Sequence, residues 1–310
     1  MANSKRIIVL GAYVSDATFR AERMPKLGET IIGQSFKFGP GGKGSNQAVA
    51  SARLGSNVSF ISRLGDDAFA KMAYELWKEE GVEPLIVTDL EKGTGSACIY
   101  VDTHKGSNAI TIVPGAALNI CAADIEQFKY SIQSGSIFIA QLETPLDATI
   151  RALEISRQSS LTTILNPAPA VKLDRQILSL VDYLIPNEIE AELLTGIEVK
   201  SIEDARVASV RLIDLGCHAS IITLGEKGAL FNNGQSISII PAPQIREVID
   251  TTGAGDCFCG AFAHAMLQNL PPLEAVQFAC NAAAISTTQQ GAANSMPSID
   301  DVNNLINFEN

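Results

Sequence analysis

Residues 250–262, Asp250-Thr-Thr-Gly-Ala-Gly-Asp256-Cys-Phe-Cys-Gly-Ala-Phe262, carry the densest chemical signal in the chain. Gly253, Ala254 and Gly255 leave the backbone bare just before an almost wholly apolar segment, 257–267, that is ready to continue as a buried helix. A helix N-terminus offers N–H groups without intrahelical acceptors and the positive end of its dipole, so this one is built to face an anion such as phosphate. Asp256 is the odd residue. A carboxylate repels a resting phosphate, so its presence suggests another task, such as taking a proton from a hydroxyl that attacks phosphorus. The plainer reading is a glycine turn followed by an acidic residue in a first helical turn, where aspartate is common; the segment alone leaves both open.

A second glycine motif, Gly39-Pro-Gly-Gly-Lys-Gly-Ser-Asn-Gln-Ala-Val-Ala-Ser-Ala-Arg-Leu-Gly55, opens another helix. Gly41, Gly42 and Gly44 allow close backbone approach, while Lys43 and Asn46 offer donors to hydroxyls or phosphate. The motif is not a P-loop, because Gly44 stands where Ser or Thr must follow the lysine. The first strand is followed by Gly11-Ala-Tyr-Val-Ser-Asp16 rather than the dinucleotide fingerprint, which weakens a nicotinamide dehydrogenase reading.

These motifs need a rigid frame. Short apolar runs at 7–10, 58–62, 136–140, 162–165, 183–185 and 219–224 read as buried strands. Helical spacing marks 45–54, 68–80, 144–157, 187–194 and 202–215 between them. Strands alternating with helices imply a parallel sheet covered on both faces. Two stretches, 29–38 and 96–113, alternate instead as antiparallel strands do, the second with a hairpin at Gly106 and Asn108. They predict a small β appendage, either a lid over the carboxyl ends of the strands or an ordinary edge hairpin.

Composition narrows the class. A chain of 310 residues with 46% hydrophobic and 18% charged residues describes an α/β enzyme with a sizeable core. A net charge of −11 argues against a nucleic-acid surface. No apolar run approaches the roughly 18 residues of a membrane span, and residues 7–12 are too few for a signal sequence. Six scattered cysteines are expected to be reduced thiols in a cytoplasmic protein. Cys257 and Cys259 diverge by roughly 200° on a helix and do not form a zinc site.

Residues 41–54 and 250–262 resemble the two signature motifs of the ribokinase (PfkB) carbohydrate kinases. Intermediate pieces agree in order: Gly28-Glu-Thr30, Gly65-Asp-Asp67, Gln141-Leu-Glu143, Asn166-Pro-Ala-Pro169, Pro186-Asn-Glu-Ile-Glu190 and Thr223-Leu-Gly-Glu-Lys-Gly228. The resemblance implies an α/β fold, a three-layer α/β/α sandwich with a central, mainly parallel sheet and a small β-sheet lid. It further implies one kinase domain over 1–310, the discontinuous lid drawn from about 13–40 and 95–113 and forming a homodimer contact. The implied reaction is ATP-dependent phosphorylation of the terminal (5-) hydroxyl of a pentose, foremost D-ribose. The alternatives are 2-deoxyribose or another sugar or nucleoside, and, in a different class, a non-catalytic sugar-binding regulator.

Carried over residue by residue, the resemblance assigns Asp16 to paired sugar hydroxyls, with Gly42, Lys43, Gly44, Ser45 and Asn46 along the same sugar and Glu143 closing its far side. Asn187 and Glu190 match the element that organises Mg²⁺ through water and the ATP phosphates. Thr223, Leu224, Gly225, Glu226 and Gly228 pass beside the nucleotide, and Cys280 lies near its adenine. Gly253, Ala254 and Gly255 become the anion hole and Asp256 the general base. A K⁺ site is implied beside them, with the Asp250 carboxylate, carbonyls of Thr252, Ser286, Gln289 and Gly291, and the Ser295 hydroxyl as ligands. The departure is Val14, where ribokinases commonly carry Asn; an apolar residue there resembles deoxyribokinases and puts the identity of the sugar in question.

Overall fold

Runs of branched apolar residues joined by amphipathic stretches have one economical arrangement, a parallel sheet with helices on both faces. The computed structural model describes residues 5–104, 107–245 and 247–309. Chain order begins with β1 (Arg6–Leu10), β2 (Val14–Ala21), β3 (Ser35–Gly41), α1 (Lys43–Arg53), β4 (Asn57–Gly65), α2 (Ala68–Glu79) and β5 (Val82–Asp89). There follow β6 (Thr94–Asp102), β7 (Asn108–Gly115), α3 (Ala122–Gln127), α4 (Lys129–Gln133), β8 (Ile137–Ala140), α5 (Leu146–Gln158) and β9 (Thr162–Leu165). Next come α6 (Arg175–Leu178), β10 (Tyr183–Leu184), α7 (Glu188–Thr195), α8 (Ile202–Leu215) and β11 (Ala219–Thr223). The chain closes with β12 (Ala229–Asn232), β13 (Ile237–Ile240), α9 (Ala254–Leu267), α10 (Pro272–Ser286) and α11 (Ile299–Glu309).

Nine strands form the central sheet in the order β13-β12-β11-β10-β9-β8-β1-β4-β5. Pairing is parallel from β11 through to β5 and antiparallel only where β12 and β13 are added at one edge. Strand alternation sends Ile7 and Val9 to one face, packed with Trp77, Phe262 and Val276, and Ile8 and Leu10 to the other, packed with Ile125, Leu153 and Leu212. The result is the expected three-layer α/β sandwich.

A second sheet has the order β3-β2-β6-β7, with β2 parallel to β6 and the outer pairs antiparallel. Its first segment differs from the alternating stretch read at 29–38. Residues 29–34 form no strand, because Glu29 accepts from the Lys26 N–H at 2.9 Å and pairs with Arg23 at 2.7 Å, closing a turn. The strand begins at Ser35, and its partner is β2. Asn108 opens β7, whereas Gly106 lies outside the described residues. The register puts Val14, Asp16, Ala97 and Ile112 on one face of this sheet.

Candidate active site

A cleft opens at the carboxyl ends of β9, β10 and β11, where Asn166, Ile185 and Thr223 leave the sheet. Ligands of open α/β sheets gather at such an edge. Lys43, Asn187, Glu190, Gly253, Gly255 and Asp256 line the same cleft, so α1, α7 and α9 all point their first turns into it. A broader hollow at the amino ends of β9 to β11 is lined by Arg157, Asp182 and His218. It contains none of the residues singled out by sequence, and its Asp182 carboxylate is already shared by Arg157 and by His218 at 2.9 Å.

Helix α9 begins with Gly253 as N-cap in the left-handed region, φ 80°, where a side chain would also meet the Ala292 Cα at 2.9 Å. The Ala254 N–H turns back to the Thr251 carbonyl at 3.2 Å. Gly255 and Asp256 therefore supply first-turn amides without intrahelical acceptors. A Cβ at Gly255 would meet nothing within 4 Å, which leaves its backbone open toward the cleft.

Asp256 is 6% exposed. Its Oδ2 accepts from Asn46 Nδ2 at 2.9 Å and its Oδ1 from Gln47 Nε2 at 3.1 Å. Burial raises its pKa above the ordinary carboxylate range, while the Lys43 charge and the two amide donors oppose that shift. Lys43 loses proton affinity through burial but regains more from Asp256, Glu143 and Glu190, so its ammonium is held firmly. A raised carboxyl beside a fixed cation suits reversible proton transfer.

Glu143 caps α1 rather than its own helix: its Oε2 accepts from the Lys43 backbone N–H at 2.8 Å. Burial, and then the Asp256 charge, push its pKa to about 7; burial alone pushes Asp16 to about 6. Asp16 nests against Gly41, where a Cβ would meet the carboxylate at 2.2 Å. The glycines of this motif are filled by protein. A side chain at Gly42 would meet the Ala12 carbonyl at 2.5 Å, and one at Gly44 the Gly11 Cα at 2.6 Å. Ser45 is fully buried and accepts from the Trp77 indole N–H at 3.0 Å, fixing α1 to α2.

Asn187 and Glu190 form a capping box on α7: the Asn187 N–H reaches Glu190 Oε2 at 2.9 Å and the Glu190 N–H reaches Asn187 Oδ1 at 2.9 Å. Glu190 is nonetheless 7% exposed and faces Lys43, which removes it from the solvated helix face that acidic composition alone suggests. Of the 223–228 segment, Thr223 lines the cleft, Leu224 is buried in the core, and Gly225 and Glu226 sit on an exposed turn. Gly228 has a reason within the fold, since a Cβ there would meet the Ile240 carbonyl at 2.0 Å. Cys280 is buried on α10 within the core.

The residues expected to supply cation ligands lie on the loop before α9, at the end of α10 and on the turn after it. Burial pushes the Asp250 carboxyl up, but hydrogen bonds from the Thr252 hydroxyl at 2.6 Å and the Gly291 N–H at 3.0 Å outweigh it and hold it below the usual range. Backbone bonds from Ile249 and Asp250 to the Thr287 carbonyl tie this turn to the end of α10, near Ser286 and Gln289. Ser295 is buried on the 3₁₀ turn Ala293–Ser295 that follows Gly291. Carboxylate, carbonyl and hydroxyl oxygens of this kind suit a hard cation.

Sequence reading assigned no role to Gln47, which bonds Asp256 directly, or to Gln141 and Asn166, which bond Gln47. The signals were available, since Gln47 follows Asn46 and the other two open short motifs, but nothing local reveals a bond to Asp256.

Residues 4–299 match the pfkB family carbohydrate kinase model. The chain is 38% identical over 294 residues to the ribokinase of Haemophilus influenzae, covering 94% of this chain and 95% of that one. It is 36% identical over 304 residues to the deoxyribokinase of Salmonella typhimurium, covering 97% and 99%. The structure of Arabidopsis thaliana ribokinase complexed with ribose and ATP superposes with a TM-score of 0.92 at 30% identity, over 98% of this chain and 99% of that one. With this match in sequence and in fold, the chain belongs to the pfkB family of carbohydrate kinases.

Proposed function

We propose that this kinase transfers the γ-phosphoryl group of ATP to the terminal (5-) hydroxyl of a pentose, with D-ribose the leading substrate. The observation that carries the reading is Asp256: a buried carboxylate in the first turn of α9, next to the Lys43 ammonium and the open Gly255 backbone. Asp256 takes the proton as the sugar oxygen attacks phosphorus in line, and the first-turn amides of α9 stabilise charge on the transferring oxygens. Asp16 and Glu143 accept hydrogen bonds from the other sugar hydroxyls, with Asn46 and Lys43 between them. Glu190 and Asn187 would hold hydrated Mg²⁺, and the Asp250 to Ser295 oxygens K⁺; when bound, these ions supply positive charge to the phosphates and to the loop behind α9.

The small sheet acts as a lid in this reading, because Asp16 lies on it and Ile110 and Ile112 beside it remain half exposed. Its other face, where Phe19 packs at a tilt against Phe36 at 4.9 Å and stacks on Tyr100 at 5.7 Å, supports a homodimer contact. Six unpaired cysteines accord with a cytoplasmic location.

One observation favours 2-deoxyribose as a second reading. Val14 is buried and shares the Asp16 face of β2. A valine offers a 2-hydroxyl no hydrogen bond, so a site with it loses little when that hydroxyl is absent. The test is sugar-dependent ADP production by the purified protein with ribose, 2-deoxyribose, fructose and nucleosides, each in K⁺ and in Na⁺, alongside sedimentation. The expected result is highest kcat/KM with a pentose, faster turnover in K⁺, and a dimer. Sugar binding with no ADP would instead identify a non-catalytic regulator.

The raised carboxyls of Asp16 and Glu143 predict a pH dependence. Asp16 and Glu143 accept sugar hydroxyls best when ionised, so KM for the sugar should fall as pH rises from about 5.5 to 7.5, by up to about tenfold per unit below the pKa. The folded protein holds these protons more tightly than the unfolded chain, so the same groups subtract stability as pH rises from the ordinary carboxylate range to about 7. Asp16→Asn should flatten the KM profile; a pH-independent KM in the parent enzyme would count against the assignment.

A further inference from the structure

We propose that Gln47 is a positioning residue for Asp256, held in one orientation by a buried chain of carboxamides that runs from Asn166 through Gln47 to Gln141. The inference rests on the kinase reading and extends it to the carboxamides that bond to Asp256 directly or through one another.

Every member of the chain has its orientation forced. The Ile185 carbonyl accepts from Asn166 Nδ2 at 2.8 Å, which turns Asn166 Oδ1 toward Gln47 Nε2 at 3.3 Å. The Asp256 carboxylate also accepts from Gln47 Nε2, at 3.1 Å. Both Gln47 N–H groups are then used, and its Oε1 is left to accept from Gln141 Nε2 at 2.6 Å. Gln47 and Gln141 are fully buried, and Asn166 is 8% exposed. The chain ends badly: Gln141 Oε1 has no hydrogen-bond partner and lies against Gly11 and Gly44. A buried polar network with an unsatisfied end is costly for stability. What the network does in return is hold Asp256.

Two effects follow. With Asn46 on Oδ2 and Gln47 on Oδ1, the carboxyl group cannot rotate about its Cβ–Cγ bond without breaking a bond. Both partners are N–H donors, which favour the ionised carboxyl able to accept a proton. Other ionisable groups that face Asp256 are Lys43 on α1, Glu190 on α7, Cys257 and Cys259 on α9, and Glu143 before α5. None of them bonds directly to Gln47 in the network described.

The test compares kcat at saturating sugar and MgATP across pH for the parent enzyme, Gln47→Leu and Gln141→Met, with KM and Tm measured in parallel. Gln47→Leu should lower kcat roughly ten- to hundredfold and move the acid limb of kcat to higher pH by about one unit, with both KM values within about threefold. Gln141→Met, which frees Gln47 without touching Asp256, should shift the limb in the same direction by less and serves if Gln47→Leu does not fold. A fall in Tm with the acid limb unmoved in both variants would overturn the proposal and leave the network a packing feature. Parent kcat in a folded Asp256→Asn enzyme would overturn the underlying reading as well.

Discussion

Asp256→Asn is expected to lower kcat by about 10²–10⁴ while the protein stays folded, the range typical for removing a general base. The substitution is nearly isosteric; it removes the ability to take a proton together with the negative charge and one hydrogen-bond acceptor. Two physical effects decide whether the fold survives. The side chain is 6% exposed and burial already works against its charge, so a neutral amide removes a desolvation cost. Against this, Asn46 and Gln47 both present N–H groups, so whichever way the new amide sits its NH₂ meets one of them. The lost hydrogen bond to a charged group is worth about 1.5–3 kcal/mol, still less than the roughly 5–15 kcal/mol stability of a domain. KM for ATP should move by only a few-fold, because the first-turn amides of α9 are backbone groups that the substitution leaves in place. Coupled ADP assays with circular dichroism of the same sample check the prediction. A folded variant that turns over near the parent rate would remove Asp256 from the chemistry.

The reasons why some of this could be read from sequence and some could not are physical. Asp256, Gly255, Lys43 and Asn46 sit in first turns of helices, where a short segment fixes both residue type and direction, so the motif and the site coincide. The network behind Asp256 joins residues 209 and 94 positions apart, Gln47 to Asp256 and Gln47 to Gln141, and no periodicity encodes such a pairing. Glu143 shows a milder form of the same gap: two residues before Pro145, it is placed to cap the helix after it, yet it caps α1, a hundred residues earlier. The central strands 7–10 and 162–165 were legible because both faces are buried and the runs are wholly apolar or branched. β5 escaped because it is an edge strand carrying Pro84 and partly exposed residues, which breaks both the apolar run and the alternation. β2 lies within the lid bounds that the resemblance implied, but alternation did not pick it out as a strand, because Val14, Asp16, Thr18 and Arg20 on one face mix apolar and polar residues. The glycines of α1 taught a different lesson. Bare backbone suggests a ligand, but at Gly42 and Gly44 the space is taken by the β1 to β2 connection, so those glycines let the sugar-site helix lie against the sheet edge.

The same logic makes Gly260→Ala a severe change for a single methyl group. Gly260 is buried on α9 one turn after Asp256, so the two share a face directed at α1. A Cβ there would meet the Ala50 Cβ at 2.7 Å, the Gln47 carbonyl oxygen at 2.7 Å and the Ser51 N at 3.1 Å. Two of these are backbone atoms of α1 and cannot swing aside as a flexible side chain would. Alanine's better helix propensity contributes about 1 kcal/mol in favour. Overpacking a close helix crossing costs about 1–3 kcal/mol, so the steric effect wins unless the helices separate. Separation relieves the clash but stretches the Ser51 hydroxyl bond to the Gly260 carbonyl, 3.1 Å here, and draws Asp256 away from Asn46 and Gln47. Displacing a reacting group by about 1 Å can cost about 10² in rate. Gly260→Ala should therefore lower Tm by several degrees and kcat by ten- to a hundredfold. Ala50→Gly in the same chain should restore part of both, because it removes one of the three contacts. Gly255→Ala provides the contrast in stability, since its Cβ would meet nothing within 4 Å and Tm should be unchanged. Parent Tm and parent kcat in Gly260→Ala would mean that the α1–α9 crossing has room to spare and does not set the position of Asp256.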